Sequence, residues 1–394
     1  MQPTHRSHTA VAGLQWLVRA LFFGALLALA GCGGGGGGFA GVGGNLAVPP
    51  KIIIDSDYNT MSDDGQLGVM AAQLQAKGQL QVLGITVVSG NQWLKQGVAD
   101  ALKSMERLGM GDKIGVYEGE NYALSHDWAT IQKELDAGAA KDGYYGAWSA
   151  SKTAPTDAEL VAPPDGFATR TKVQSQGAVD FIISTVKANP NEVTILAIGP
   201  LTNIAKAMRK SPEIVPLIKQ IIYMGGAVHV PGNTTKTAEF NWWFDPEAAQ
   251  YVVRQPVSQA VVPLDVTDTV LLTKPVYDRI ANAAKPTIVT DLFKQIIGPG
   301  FNGIGFEGDP YYTLNVWDTL TIAVMVDPSF ATQSSEEYLD VVNEPGAANN
   351  GQSIGYPAQP AGPRLQKMKI ISKFDNARFF NFYVDLLTRP VPIP

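Results

Sequence analysis

Cysteine is almost absent from this chain, with one, Cys32, in 394 residues. No intramolecular disulfide can form, and neither a thiolate metal centre nor a cysteine nucleophile is available beyond that position. Histidine is nearly as scarce, at four. His5 and His8 precede a leader-like apolar run, so only His126 and His229 remain as acids or bases, which argues against a histidine general acid. Basic residues are in deficit, 30 Lys plus Arg against 36 Asp plus Glu. A nucleic-acid polymer binder carries the opposite balance, with Lys and Arg clustered. The apolar run from Ala20 to Ala30 is too short to span a bilayer, and no internal repeat is visible.

The first 31 residues contain no acid, carry Arg6 and Arg19, and end on Leu29-Ala30-Gly31-Cys32. This pattern resembles a bacterial lipoprotein signal, in which the cysteine becomes the lipidated first residue after cleavage. That resemblance implies a signal peptide over 1–31, with Cys32 as the lipid anchor. The glycine-rich stretch 32–48 then reads as a tether, followed by one domain over 49–394. Gly34 stands where aspartate would signal inner-membrane retention, so the resemblance places the protein on the periplasmic side, at the outer rather than the inner membrane. Removing two Arg and no acids leaves 36 acids against 28 bases (30 − 2), a net charge of about −8.

Beyond the tether, short β-branched runs alternate with helical periodicity. Strands are expected at 51–54, 80–88, 114–117, 193–198, 218–224, 260–264, 337–342 and 367–372. Helices are expected at 64–77, 92–108, 174–188, 201–210, 246–253, 275–284, 287–297, about 317–325, and 376–387. Residues 118–172 read as an irregular excursion with short helices only. The alternation predicts a single-domain α/β fold, an open and mostly parallel sheet flanked by helices with a Rossmann-like core. In such sheets ligands sit at the carboxyl ends of strands, where Asp57, Asn91, Ile198 and Gly225 all fall.

The richest local signal is Ile52-Ile53-Ile54-Asp55-Ser56-Asp57, followed by Asp63-Asp64. A buried strand ending on two carboxylates meets a helix that begins with two more. Four acids at one turn repel one another unless a cation sits among them. Oxygen-only donors in an irregular cage suit Ca²⁺ best. A dehalogenase-like phosphatase also ends its first strand in Asp-x-Asp, but that pattern does not account for Asp63-Asp64.

Further motifs follow in order. Val87-Val88-Ser89-Gly90-Asn91 is the first. Ile198-Gly199-Pro200-Leu201-Thr202-Asn203-Ile204-Ala205 is the second, and Met224-Gly225-Gly226-Ala227-Val228 the third. Gly232-Asn233, Ala238-Glu239-Phe240-Asn241 and Asp245-Pro246-Glu247-Ala248-Ala249 extend the third. Trp317-Asp318-Thr319-Leu320-Thr321-Ile322-Ala323 is the last. Together they resemble the nucleoside hydrolase family over residues 51–390.

The resemblance implies Ca²⁺ held by Asp57, Asp64, Asp318 and the Ile198 carbonyl. It further implies that Asp63 and Asn241 bind the ribose 2′-hydroxyl, Asn91 and Asp318 the 3′-hydroxyl, and Asn233 and Glu239 the 5′-hydroxyl. Met224 would pack under the sugar. Asp57 would be the general base for a metal-bound water. Pyrimidine-accepting members often carry His before the last metal-binding Asp. Trp317 stands there instead and resembles the purine-preferring branch, in which indoles stack on the base, and Trp128 is the candidate for the opposite face. The expected partner is a small nucleoside, and the assembly a homodimer or homotetramer. The reading is a lipid-anchored hydrolase that releases base and ribose. Its rival is a lipoprotein that binds nucleosides without cleaving them, and a third possibility is another ribosyl-like substrate. Five residues rather than three separate Asp57 from the Asp pair, a departure from the family pattern.

Overall fold

In the computed structural model the described residues are 48–393, without 137–145, 149–154 and 302. Cys32, the leader and all but the last residue of the tether therefore lie outside the described residues.

Eleven strands are present among them. They are β1 (Lys51–Ser56), β2 (Gln81–Val87), β3 (Val116–Glu118), β4 (Val193–Ala197), β5 (Gln220–Met224), β6 (Gln259–Val262), β7 (Leu271–Thr273), β8 (Thr313–Asn315), β9 (Ala331–Val341), β10 (Ser353–Tyr356) and β11 (Gln366–Phe374). Nine form one sheet in the order β10-β9-β11-β6-β5-β4-β1-β2-β3. β1 to β6 and β11 pair in parallel, while β9 runs against β11 and β10 against β9. β7 and β8 make a separate antiparallel ribbon.

The central strands β1, β4, β5 and β6 are buried on both faces, and their side-chain alternation shows it. Ile52 and Ile54 of β1 join one apolar cluster, and Ile53 joins the other. In β4, Leu196 faces the first cluster while Ile195 and Ala197 face the second. Helices Asp63–Ala76, Leu94–Leu108, Thr319–Val326 and Asn376–Leu387 cover the first face, and Ala178–Ala188, Thr202–Lys210 and Pro246–Val253 the second. A continuous apolar run such as Ile52–Ile54 is what a strand with two covered faces requires. Each fully buried isoleucine contributes about 2–3 kcal/mol of transfer free energy.

The central order β3-β2-β1-β4-β5-β6 reverses direction between β1 and β4. That reversal opens a crevice above their carboxyl ends, and it fixes where the site must be. The expected elements over 51–210 and 246–253 form close to their predicted bounds. The helix expected from 174 begins only at Ala178, because the Gln174 amide donates to the Val116 carbonyl at 2.9 Å and holds that segment extended. Helix Phe240–Phe244, the β7–β8 ribbon and β10 were not anticipated. Among its described residues the excursion holds helix Trp128–Asp136 and two short 3₁₀ turns. Among the described residues no helix is long and apolar enough to cross a membrane.

Candidate active site

A cavity of about 420 Å³ opens at the reversal of the sheet. From the turn after β1 come Asn59 and Ser62, from the helix that follows it Asp63, from the turn after β2 Asn91, from just past β4 Ile198, and from the end of β5 Met224. Asn233, Thr234, Glu239, Phe240 and Asn241 form one wall, and Phe301, Trp317 and Asp318 another. Nine of the twelve residues expected around the substrate and metal line this one space. Asp57 and Asp64 lie buried beneath it, and Trp128 is elsewhere.

The acids converge as the turn predicts. Carboxylate oxygens of Asp63, Asp64 and Asp318 lie within 4.8 Å of one another, although 255 residues separate Asp63 from Asp318. The Asp318 amide donates to Asp63 Oδ2 at 3.2 Å, tying the late helix to the early one. Asp57 is joined to this trio through Asn91. The Asn91 backbone N–H donates to Asp57 Oδ2 at 2.6 Å, and its side-chain amide donates to Asp64 Oδ2 at 3.0 Å. Ser56 and Ser62 hydroxyls also donate to Asp64, at 2.6 and 3.1 Å. Asp57 Oδ1 is buried and accepts no hydrogen bond among the described residues. The close oxygens of Asp63, Asp64 and Asp318, with the buried Asp57 carboxylate that feels the Asp64 and Asp63 charges, are a donor set that fits a hard cation. The Ile198 carbonyl accepts from the Asn241 side-chain amide at 3.4 Å.

The wall opposite is built by helix Phe240–Phe244. Glu239 caps it, accepting the amides of Asn241 at 2.8 Å and Trp242 at 3.2 Å, and it also takes the Gly226 amide at 3.0 Å. That cap fixes Asn241, whose side chain donates to the Met224 carbonyl at 3.2 Å. Asn233 accepts the Phe240 amide at 2.9 Å.

The family model for inosine-uridine preferring nucleoside hydrolases matches residues 52–381. The chain belongs to this family. Pyrimidine-specific ribonucleoside hydrolase RihB of Escherichia coli strain HS is 32% identical over 293 residues, covering 74% of this chain and 82% of that protein. The solved purine-preferring ribonucleoside hydrolase from Gardnerella vaginalis superposes with a TM-score of 0.68 at 26% identity, covering 86% of this chain and 98% of that one. A plant nucleoside hydrolase, PpNRh1, shares the fold with a TM-score of 0.67 at 24% identity, over 87% of this chain and 100% of that one. The protein is thus an N-glycosyl hydrolase of ribonucleosides.

Electrostatics in this nucleoside hydrolase follow from burial. Desolvation pushes Asp64 up to about 7 and Asp63 up to about 6. Asp57 stands well above its ordinary range through burial and then the Asp64 charge. Asp318 does so through burial and then Asp63. Carboxyls this crowded stay fully ionised only when a cation offsets them.

Several working residues escaped the sequence reading. Asn203 donates to Asp55 Oδ1 at 2.8 Å and Thr86 to the same oxygen at 2.5 Å, so Asp55 is spent inside the sheet as a brace. Thr202 donates to Asp245 Oδ2 at 2.6 Å, which pins the turn after β4 to the helix Pro246–Val253. Phe240 was legible as the apolar residue between Glu239 and Asn241. Phe301 lies in the glycine-rich stretch 298–312, whose composition suggests a lid over the base. Trp128 packs edge-on against Trp148, with ring centroids 5.8 Å apart, in a cluster with Ile131, Phe240 and Phe244. The structure does not bring it to the cavity, and the aromatic residues lining that space are Phe240, Phe301 and Trp317.

Proposed function

We propose that this hydrolase cleaves purine ribonucleosides to free base and ribose, with Asp57 as general base and Ca²⁺ as the bound cation. The observation that carries the reading is Asp57 itself. One of its oxygens is fixed by the Asn91 amide, the other is buried and without a partner among the described residues, and the carboxyl as a whole is raised by burial and then by the Asp64 charge. Asp57, Asp64, Asp318 and the Ile198 carbonyl would hold the cation, and the closeness of Asp63 to Asp64 and Asp318 makes it a neighbour of that shell. When bound, such an ion acidifies a coordinated water and orients sugar hydroxyls. Asp57 Oδ1, without a partner among the described residues, would be the atom that takes a proton from the attacking water. Asp63 and Asn241 address the 2′-hydroxyl, Asn91 and Asp318 the 3′-hydroxyl, and Asn233 and Glu239 the 5′-hydroxyl, with Met224 beneath the ring. The surrounding carboxylates favour the positive charge that develops on the ribosyl ring as the bond breaks.

Support for a purine comes from Trp317, a half-buried indole in the cavity wall, with Phe240 and Phe301 also lining it. A wide aromatic surface suits a bicyclic base. The relatives divide on this point, RihB being named for pyrimidines and the Gardnerella enzyme for purines. Incubation with inosine or uridine in Ca²⁺, followed by a reducing-sugar assay, tests the reading, with faster release expected from inosine. Faster release from uridine would overturn the purine preference, and intact nucleoside in both cases would overturn the mechanism.

The Leu29-Ala30-Gly31-Cys32 sequence supports an anchored enzyme on the periplasmic side, at the outer membrane. Cys32→Ser is expected to move activity from the membrane to the soluble fraction.

A further inference from the structure

Trp317 enters the cavity wall from the β7–β8 ribbon, and that ribbon has a carboxylate at its base. Asp268 follows the short helix Leu264–Thr267 at the end of β6 and leads into β7, while Asn315 closes β8 two residues before Trp317. A single oxygen, Asp268 Oδ1, accepts both the Trp317 indole N–H at 2.9 Å and the Asn315 side-chain amide at 3.1 Å. The two strands pair antiparallel from Leu271 against Asn315 to Thr273 against Thr313, so the carboxylate sits where the ribbon opens toward the site.

Two consequences follow from this geometry. The indole has one hydrogen to donate, and it is given to Asp268. Trp317 therefore cannot read a nucleobase by hydrogen bonding, and what it offers a ligand is its π surface. The partner is also an anion, and a charge-assisted bond from the ring N–H places extra electron density on the indole. An electron-rich face attracts electron-poor or positively charged rings more strongly. A base that gains a proton as it departs is such a ring.

We propose that Asp268 is a positioning residue of this hydrolase, holding the Trp317 indole against the leaving base and enriching its face so that departure of a base needing protonation is favoured. The proposal rests on the reading of Trp317 as the base platform. The Asp268 charge also reaches Glu239, whose carboxyl is raised by burial first and by Asp268 last, so the leaving-group effect is the part of any loss that inosine shows and a substrate with a self-sufficient leaving group does not.

A double-mutant cycle with two substrates decides it. Inosine needs help at its base, while p-nitrophenyl riboside carries a leaving group that departs unaided. Asp268→Ala is expected to lower kcat/KM for inosine about tenfold and to change the nitrophenyl substrate by less than about twofold. Asp268→Asn, which keeps an acceptor oxygen without the charge, should restore KM for inosine and leave kcat low. If Asp268 acts through the indole, adding Asp268→Ala to Trp317→Ala costs nothing further. Equal losses on both substrates, no loss on either, or full additivity with Trp317→Ala would each overturn the proposal. Trp317→Ala on its own separates the two claims. If it fails to hurt inosine selectively, the base-platform reading falls; if it is selective and Asp268→Ala is not, only the role of Asp268 falls. Should Asp268→Ala not fold, Asp268→Asn carries the same comparison, and an unselective or absent kcat effect in that variant overturns the proposal.

Discussion

With Oδ2 of Asp57 held by the Asn91 amide, Oδ1 is the atom free to accept a proton, and substitution at this residue separates shape from basicity. Asp57→Asn keeps a carbonyl oxygen but cannot take a proton, so kcat should fall about 10²–10⁴-fold. Stability should hold or rise, because a buried carboxyl among like charges is replaced by a neutral group. A steady-state assay on inosine, paired with a thermal melt, checks both. Undiminished kcat would remove Asp57 from the base role. At this scale the sequence was most readable where acids crowd a short span, since like charges so close demand an explanation. It was least readable for residues that act by holding others. Asn203 and Thr86, which brace Asp55, look in sequence like any polar residues on a strand or helix. Asp268, too, is marked only by its distance to an indole 49 positions away.

Two turns close on Asp57 from opposite sides, and both need glycine. A Cβ on Gly199, at the turn after β4, would lie 2.7 Å from the Asp57 amide nitrogen and 2.8 Å from its Oδ1. A Cβ on Gly90, after β2, would run into the Asp57 carboxylate from the other side. Gly199→Ala should therefore displace Asp57, with an activity loss of about 10²-fold and a stability loss of about 1–3 kcal/mol from overpacking. Urea unfolding and kcat/KM measured together test this, and an alanine variant with normal activity would mean that the turn yields without moving the acid. The strands that frame these turns were legible as short continuous apolar runs, as in β1 and β4, and the helices because their apolar spacing repeats. The β7–β8 ribbon was not, since three residues per strand are too few to establish a period. Helix Phe240–Phe244, five residues long, owes its existence to the Glu239 cap and to packing of Trp242 under β5, which no local window contains.

The whole molecule gathers buried carboxylates from both ends of its chain at the reversal of the sheet, and the consequence is a definite pH dependence. Burial first, then neighbouring charge or hydrogen bonds, sets Asp64 at about 7 and Asp63 at about 6, while Asp55, desolvated inside the sheet, stands at about 7. In the unfolded chain these groups titrate near 4. Between roughly pH 4 and pH 7 the folded protein without a cation thus binds more protons than the unfolded one. Stability falls as pH rises through that window, since its slope follows the protons bound unfolded minus those bound folded. A bound divalent cation replaces the protons, so its stabilisation should be greater where the carboxyls have least claim on protons. The melting temperature of chelator-treated enzyme is expected to drop from pH 5 to pH 7.5. The increase on adding Ca²⁺ is expected to be several degrees larger at pH 7.5 than at pH 5, because about 1 kcal/mol moves the midpoint of a large domain by only ~2–4 °C. Scanning calorimetry at the two pH values, with and without Ca²⁺, reads both trends. A chelated enzyme that melts higher at pH 7.5, or a Ca²⁺ shift that ignores pH, would mean that the acids beneath the cavity do not share a cation.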